Sequence, residues 1–244
     1  MRENFKFMKK LLIFALLLFI GFEILTVLAD VPFGEDRMNV SKFYLEKSPA
    51  ELKVANVVTA IVVNFRGFDT LGEVTVLFLA AAGIGSILYR RRSVHTGLNP
   101  KRTSTEASSI VQAGAKVLFP LILLLGAYVF VHGHLTPGGG FQGGAIIATG
   151  FLLKLISYRK FSVKHSTVTW VESVAGIIFV VLGLLGIVYG GTFLENFLPA
   201  GELNSLISGG VIGIIYVAVG FKVGSELTGV LDTLLNISQD EETQ

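Results

Sequence analysis

What most constrains this chain is a set of apolar runs, each nearly free of charge and each about as long as a bilayer crossing. A hydrocarbon core about 30 Å thick takes roughly 20 residues of helix. Residues 11–28 are broken only by Glu23 and Thr26, and residues 70–89 carry Glu73 as their one charge. Four further runs cover residues 111–131, 141–157, 168–189 and 206–235. Hydrocarbon offers nothing to hydrogen-bond with, so a crossing segment is either a helix or a strand of a closed barrel. Barrel strands alternate apolar and polar residues, and these runs do not. The expected fold is therefore an all-α integral membrane protein with about six spans. Composition agrees: 52% of residues are hydrophobic and 16% charged, where soluble domains carry about a quarter charged.

The spans group as two plus four. A basic stretch, with Arg90, Arg91, Arg92, Lys101 and Arg102 around Pro100 and no acidic residue from 90 to 102, separates them. It predicts a first module over 1–92, a cytoplasmic linker over 93–110 and a four-span module over 111–244. Between the first two spans, residues 30–53 are polar and read as an external loop. Val54, Val57, Val58, Ile61, Val62 and Phe65 then recur at helical spacing, with Asn56, Thr59 and Asn64 elsewhere on the segment. About a dozen residues cannot cross a bilayer, so residues 54–65 are expected to form a short lateral helix, interfacial or half-inserted. The first run also has the form of a signal peptide, with Val27-Leu28-Ala29 as its cleavage site; we read it as a retained span.

Charge sets the expected orientation. Of the 20 Lys and Arg residues, twelve fall in the N-terminal segment, the linker and the stretch Arg159, Lys160 and Lys164, and four fall in the first loop. The other four, Arg66, Lys116, Lys154 and Lys222, lie at or within apolar segments. By the positive-inside rule the chain sits in the cell membrane as a multi-pass protein with both termini cytoplasmic. Because the bases flank apolar runs, the net charge of +2 reflects orientation and not nucleic-acid binding. Cysteine is absent, which excludes disulfides, a thiolate nucleophile and a protein-held iron–sulfur cluster. No cofactor is expected in this chain.

The most unusual stretch is His132-Gly133-His134-Leu135-Thr136-Pro137-Gly138-Gly139-Gly140-Phe141-Gln142-Gly143-Gly144, between the third and fourth spans. Gly138, Gly140 and Gly143 imitate a dinucleotide-binding turn, but that turn requires a preceding strand, and here a membrane helix precedes it. Glycine at the mouth of a span instead lets the backbone turn tightly or approach another helix. The small-x-x-x-small spacing recurs at Gly139 with Gly143, Gly140 with Gly144, Gly186 with Gly190, Gly209 with Gly213 and Gly220 with Gly224. His132 and His134, two residues apart and with no third ligand near, do not form a metal site. They suit an interfacial role or proton exchange at a channel mouth.

Ionisable groups within spans cost a few kcal/mol each and are candidate functional residues. They are Glu73, Lys116, Lys154, Glu172, Lys222 and Glu226. Glu73 and Lys154 are near enough to span ends to snorkel, and Lys222 with Glu226, four residues apart, can neutralise each other. Glu73 follows Asp69 by a turn and lies near Arg66, a grouping suited to proton exchange or Na+ binding at the membrane edge.

Two of these motifs carry a resemblance. Asn64-Phe65-Arg66-Gly67-Phe68-Asp69-Thr70-Leu71-Gly72-Glu73 resembles the C-terminal part of the large A-type component of Mrp multisubunit Na+/H+ antiporters. His132-Gly133-His134 followed by Pro137-Gly138-Gly139-Gly140-Phe141-Gln142-Gly143-Gly144 is similar to the signature of the B-type component of the same antiporters, a four-span protein. Together they cover nearly all of the chain, joined at the basic linker. The large proton-pumping portion of the A-type component has no counterpart here. That arrangement resembles the E- and F-type components of archaeal membrane-bound hydrogenases and their sulfur-reducing relatives. The resemblance implies ion transfer at Glu73, with a Na+ path near Asp69 and Glu73. It implies partners like the Mrp A, C, D, E, F and G components and a hydrogenase or reductase membrane arm, and no catalysis by the chain itself. With so few buried charges, the chain offers an incomplete relay that neighbours must finish. A non-transporting assembly scaffold is the alternative reading. An intramembrane protease is disfavoured, since no aspartate pair lies within a span and no serine is placed as a nucleophile.

Overall fold

The computed structural model describes residues 2–30, 39–94, 107–158 and 161–241, and every regular element among them is helical. Most of the basic linker, residues 95–106, lies outside the described residues, as do residues 31–38 of the first loop and the pair Arg159 and Lys160. Eight α-helices follow one another: α1 (Arg2–Asp30), α2 (Asn39–Lys47), α3 (Val57–Ala60), α4 (Gly67–Val94), α5 (Ser109–Val131), α6 (Gly140–Ser157), α7 (His165–Tyr189) and α8 (Val211–Glu241). Six of them, α1 and α4 to α8, are long and apolar enough to cross a membrane, which matches the expected fold.

The chain divides into two compact units, Met1–Lys42 and Phe43–Gln244. In the first, α1 exposes apolar side chains all round, among them Leu12, Phe19 and Leu25. A helix apolar on every face has lipid as its solvent.

The second unit is organised around α8, against which α4, α5, α6 and α7 all pack. Two thirds of its apolar window (67%) is buried, against 11% for α4 and 39% for α6. Lipid is as apolar as leucine, so helices in it associate through close packing, and small residues permit the closest approach. α6 is built on this principle. A Cβ added at Gly144 would lie 2.7 Å from the Gly220 carbonyl oxygen, and one at Gly143 would lie 2.7 Å from that of Gly126 on α5. Gly140 sits equally close to the Tyr216 carbonyl and to Val219. α6 is thus clamped between α5 and α8 with backbone nearly touching backbone. The other glycine pairs behave differently. Gly186 and Gly190 accommodate Leu194 and Glu195 of the following loop, Gly209 takes a positive φ of 80° in a turn, and Gly213 faces open space.

Two boundaries differ from expectation. The last span begins at Val211 and not near residue 206, because residues 206–210 form a turn that ends on Gly209 and Gly210, both left-handed. Asn196 Oδ1 then accepts from the Val211 amide at 3.0 Å, satisfying a donor that the new helix leaves unpaired. The lateral helix is shorter than expected and packs partly into the bundle. Only Val57–Ala60 is α-helical, followed by a wider π-turn over Ile61–Phe65, and Val54, Ala60 and Val63 are fully buried in one core with Ile212, Ile215 and Val223 of α8. Of the face that predicted the lateral helix, Val54 is buried, Val57 and Val62 are half-buried and Val58 stays exposed, while the buried Val63 lies outside that face.

Replacing Gly144 with Ala forces the α6 and α8 backbones apart and should destabilise the protein by about 1–3 kcal/mol, the range for overpacking a core. The same change at Gly213 meets no atom and should stay within about 0.5 kcal/mol. Thermal unfolding of the two purified variants in detergent compares them directly.

Candidate functional site

Three ionisable side chains meet in the membrane-spanning part of the second unit. Lys222 and Glu226 lie one turn apart on the buried face of α8, with the ammonium 3.0 Å from Glu226 Oε2. The spacing of four residues places them on one face by helix geometry alone. Packing of α7 on α8 then adds Glu172, whose Oε1 lies 3.8 Å from the same ammonium. Packing of α4 adds the ring of Phe78, with its centroid 5.5 Å from Lys222 Nζ. The Lys222 and Glu226 side chains are 9% and 1% exposed, while Glu172 keeps 25% of its side-chain surface open. Glu226 Oε1 has no hydrogen-bond partner among the described residues. Lys222 is thus hydrogen-bonded to the buried Glu226, with the more open Glu172 at the edge of the pair.

A second polar assembly holds the end of the bundle where the α3 segment sits. Asn56 donates from Nδ2 to the carbonyls of Gly133 and Thr136, at 2.9 and 3.0 Å. Its amide donates to the His134 carbonyl at 3.1 Å. Thr59 Oγ1 donates to the Gly133 carbonyl at 2.7 Å and accepts from the Tyr216 hydroxyl at 3.0 Å. Gly133 lies against the Tyr216 ring, where a Cβ would fall 2.7 Å from ring carbons. This chain of donors ends on carbonyl oxygens, which cannot pass a proton on, so it is a clamp joining the α3 segment to the glycine-rich turn. Asn64 extends the clamp by accepting from the Asn196 amide at 2.9 Å.

The histidines in that turn separate as their spacing requires. His132 stacks on Tyr128, with centroids 4.3 Å apart. His134 is 1% exposed, and neither ring nitrogen reaches a hydrogen-bonding geometry with a described residue. Burial holds its pKa below the usual 6.5; the backbone of Ser205 opposes this, and His132 reinforces it.

The remaining predicted residues are dispersed. Arg66 and Asp69 pair at 2.9 Å, both partly exposed, at the start of α4. Glu73 is exposed beside the buried Thr70 and Val74 and forms no ion pair or hydrogen bond among the described residues. It therefore does not join the Arg66–Asp69 pair. Lys154 reaches past the rings of Phe119 and Phe161, at 4.4 and 4.8 Å, near the end of α6. Lys116 is exposed on α5. Pro137 and Phe141 are exposed, Gly138 abuts the Val129 carbonyl, and Gly139 lies beside Gln142. No group of three or more His, Asp or Glu residues able to hold a metal occurs among the described residues. Sequence reasoning missed Phe78 and Tyr216, which carry no signal of their own. Asn56 and Thr59 did carry one, as polar residues three apart in an otherwise apolar segment.

The sequence and the fold match known proteins. A family model described as a domain related to the MnhB subunit of Na+/H+ antiporter matches residues 110–229, and one described as the E subunit of MBH matches residues 9–104. A chain in the structure of the archaeal membrane-bound sulfane sulfur reductase, a respiratory membrane complex, is 45% identical, with a TM-score of 0.82 over 93% of this chain and 98% of its own. A chain of the Mrp complex from Dietzia sp. is 26% identical with a TM-score of 0.74, and the match covers 93% of this chain and 26% of that one. An uncharacterised protein of Methanocaldococcus jannaschii is 29% identical over 80% of this chain and 82% of its own length.

Removing the Asn56 side chain leaves the Thr136 carbonyl without its donor, so Asn56→Ala should loosen the clamp by about 1–3 kcal/mol. It should be read as faster amide exchange over residues 57–63. The buried neutral His134 gives a pH dependence of definite sign. Its folded pKa is lowered, so the opened loop binds more protons than the closed one. The stabilisation is full above about 6.5 and is lost as pH falls from there toward the lowered folded value. Protection of amides 133–136 against hydrogen exchange, corrected for intrinsic rates, should drop with falling pH in the wild type and stay flat in His134→Gln.

Proposed function

The chain belongs to the family of MnhB- and MbhE-type subunits of multisubunit Na+/H+ antiporters, and on that premise we propose that it supplies a segment of the ion path in such a module through Glu172, Lys222 and Glu226. Buried charge carries the reading. A lysine within a span is expensive, and here it is held between two carboxylates, one of them with an unpaired oxygen. A purely structural helix contact gains nothing from three ionisable groups where leucines would pack as well.

In this reading the chain works beside other membrane subunits of an antiporter module, of the kind found in Mrp complexes and in the sulfane sulfur reductase. It performs no bond-making chemistry and holds no cofactor. Glu172, open at the α7 surface, faces the next group in the path. The exposed Glu73, with Arg66 and Asp69, serves the opposite end, where ions reach the bundle beside the clamp. Both termini lie in the cytoplasm, as the distribution of Lys and Arg supports. The MnhB-like and MbhE-like parts act as one unit, because the α3 segment and α4 complete the packing around α8.

Lys222→Met should lower Na+/H+ exchange by proteoliposomes containing the whole complex about tenfold or more, equivalent to about 1.4 kcal/mol on the barrier, while the complex still assembles. Glu73→Gln tests the other end in the same assay. Full exchange in both variants would overturn the reading and reduce the chain to a scaffold.

A further inference from the structure

We propose that the cluster of Glu172, Lys222 and Glu226 takes up a proton and not a sodium ion, and that Glu226 is the residue that carries it. The inference rests on the assignment of this cluster to the ion path and names what moves there.

Fully ionised, the cluster holds two carboxylates and one ammonium, which leaves one negative charge uncompensated. An uncompensated charge in a low-dielectric interior is costly, and neutralisation of one carboxylate removes that cost. The two carboxylates differ in what ionisation demands. Glu172 keeps a quarter of its side-chain surface (25%) open, while the Glu226 side chain is 1% exposed and its Oε1 meets no donor. The proton therefore belongs on Glu226.

Sodium fits poorly. Like other hard cations it requires several oxygen ligands, and the position between the carboxylates is already filled by the Lys222 ammonium. The nearby hydroxyls are committed to their own helix: Thr228 donates to the Gly224 carbonyl and Ser225 to those of Phe221 and Lys222. α4 contributes the Phe78 ring and no ion pair, and α6 contributes glycines. Lys222 is the charged group within ion-pair distance of Glu226, and Glu172 is the next carboxylate on that ammonium; Arg66 pairs with Asp69, and Lys154 lies over Phe119 and Phe161.

The step balances without any further reactant. A proton adds to the Glu226 carboxylate, forming one O–H bond and neutralising it. The ammonium, which keeps its three protons, shifts from Glu226 to Glu172. Loss of the proton from Glu226 draws the ammonium back. One positive charge enters per cycle, and the cluster alternates between net charges of minus one and zero.

Infrared difference spectroscopy on the intact, lipid-reconstituted complex tests this. A C=O stretch of a protonated carboxyl that shifts in D2O is expected at neutral pH in sodium-free buffer. It should vanish in Glu226→Gln, persist in Glu172→Gln and not respond to added Na+ at constant pH. Lys222→Met, which removes the cation of the cluster, should strengthen the band, and it provides the assignment if Glu226→Gln does not assemble. Absence of the band in the wild type, its loss in Glu172→Gln alone, or its displacement by Na+ would each overturn the proposal. Exchange that falls in Lys222→Met without such a band refutes the proton and leaves the ion-path reading standing. An intact band with undiminished exchange in Lys222→Met refutes the path and leaves the proton.

Discussion

Everything in the second unit depends on the contact of α6 with α8, where glycine lets two backbones approach within van der Waals distance. In water, burial of apolar surface would hold such helices together, but lipid removes that driving force and leaves close packing as the main attraction. Gly140 and Gly144 provide it on α6, against Tyr216, Val219, Gly220 and Gly224 of α8. With α6 pressed on one side, α7 and α4 can close over the others, so that α8 is the most buried of the spans. That burial removes lipid and water from the face carrying Lys222 and Glu226.

The same contact determines what the charges can do. On a lipid-exposed helix, Lys222 would extend toward the interface and its pairing with Glu226 would be a surface ion pair of little consequence. Packed under α4 and α7, the ammonium is instead buried, 3.0 Å from Glu226 and 3.8 Å from Glu172. A clamp of hydrogen bonds closes one end of the bundle. Asn56, Thr59 and Tyr216 bind the glycine-rich turn to the α3 segment, and Tyr216 lies on the helix that holds the charge cluster. The His-Gly motif therefore acts through architecture: its glycines and carbonyls form the surface on which the α3 segment and α8 are locked.

The spans, the two motifs and the Lys222–Glu226 pair are all legible as residues in order along the chain. A helical crossing is a local matter, since each residue in hydrocarbon needs its backbone partner four positions away, and a pair four apart on one helix shares a face wherever that helix lies. The start of α8 escapes hydropathy because Leu206 and Ile207 are apolar while the turn that ends the loop is made by Gly209 and Gly210, whose positive φ has no hydropathic signature. The lateral segment escapes it for a related reason. Its valines mark an apolar face but do not say whether that face meets lipid or protein.

The order of residues thus determined that six helices among the described residues are long and apolar enough to cross a membrane, which motifs the chain carries, and that Lys222 and Glu226 stand together. It did not determine that Glu172 completes the cluster, that Phe78 covers it, or that the Arg66–Asp69 pair leaves Glu73 apart. Those outcomes depend on which faces of α4, α7 and α8 meet. When every face of a span is apolar, hydrophobicity cannot select among them, and the selection falls to the fit of glycine against backbone once the helices are packed.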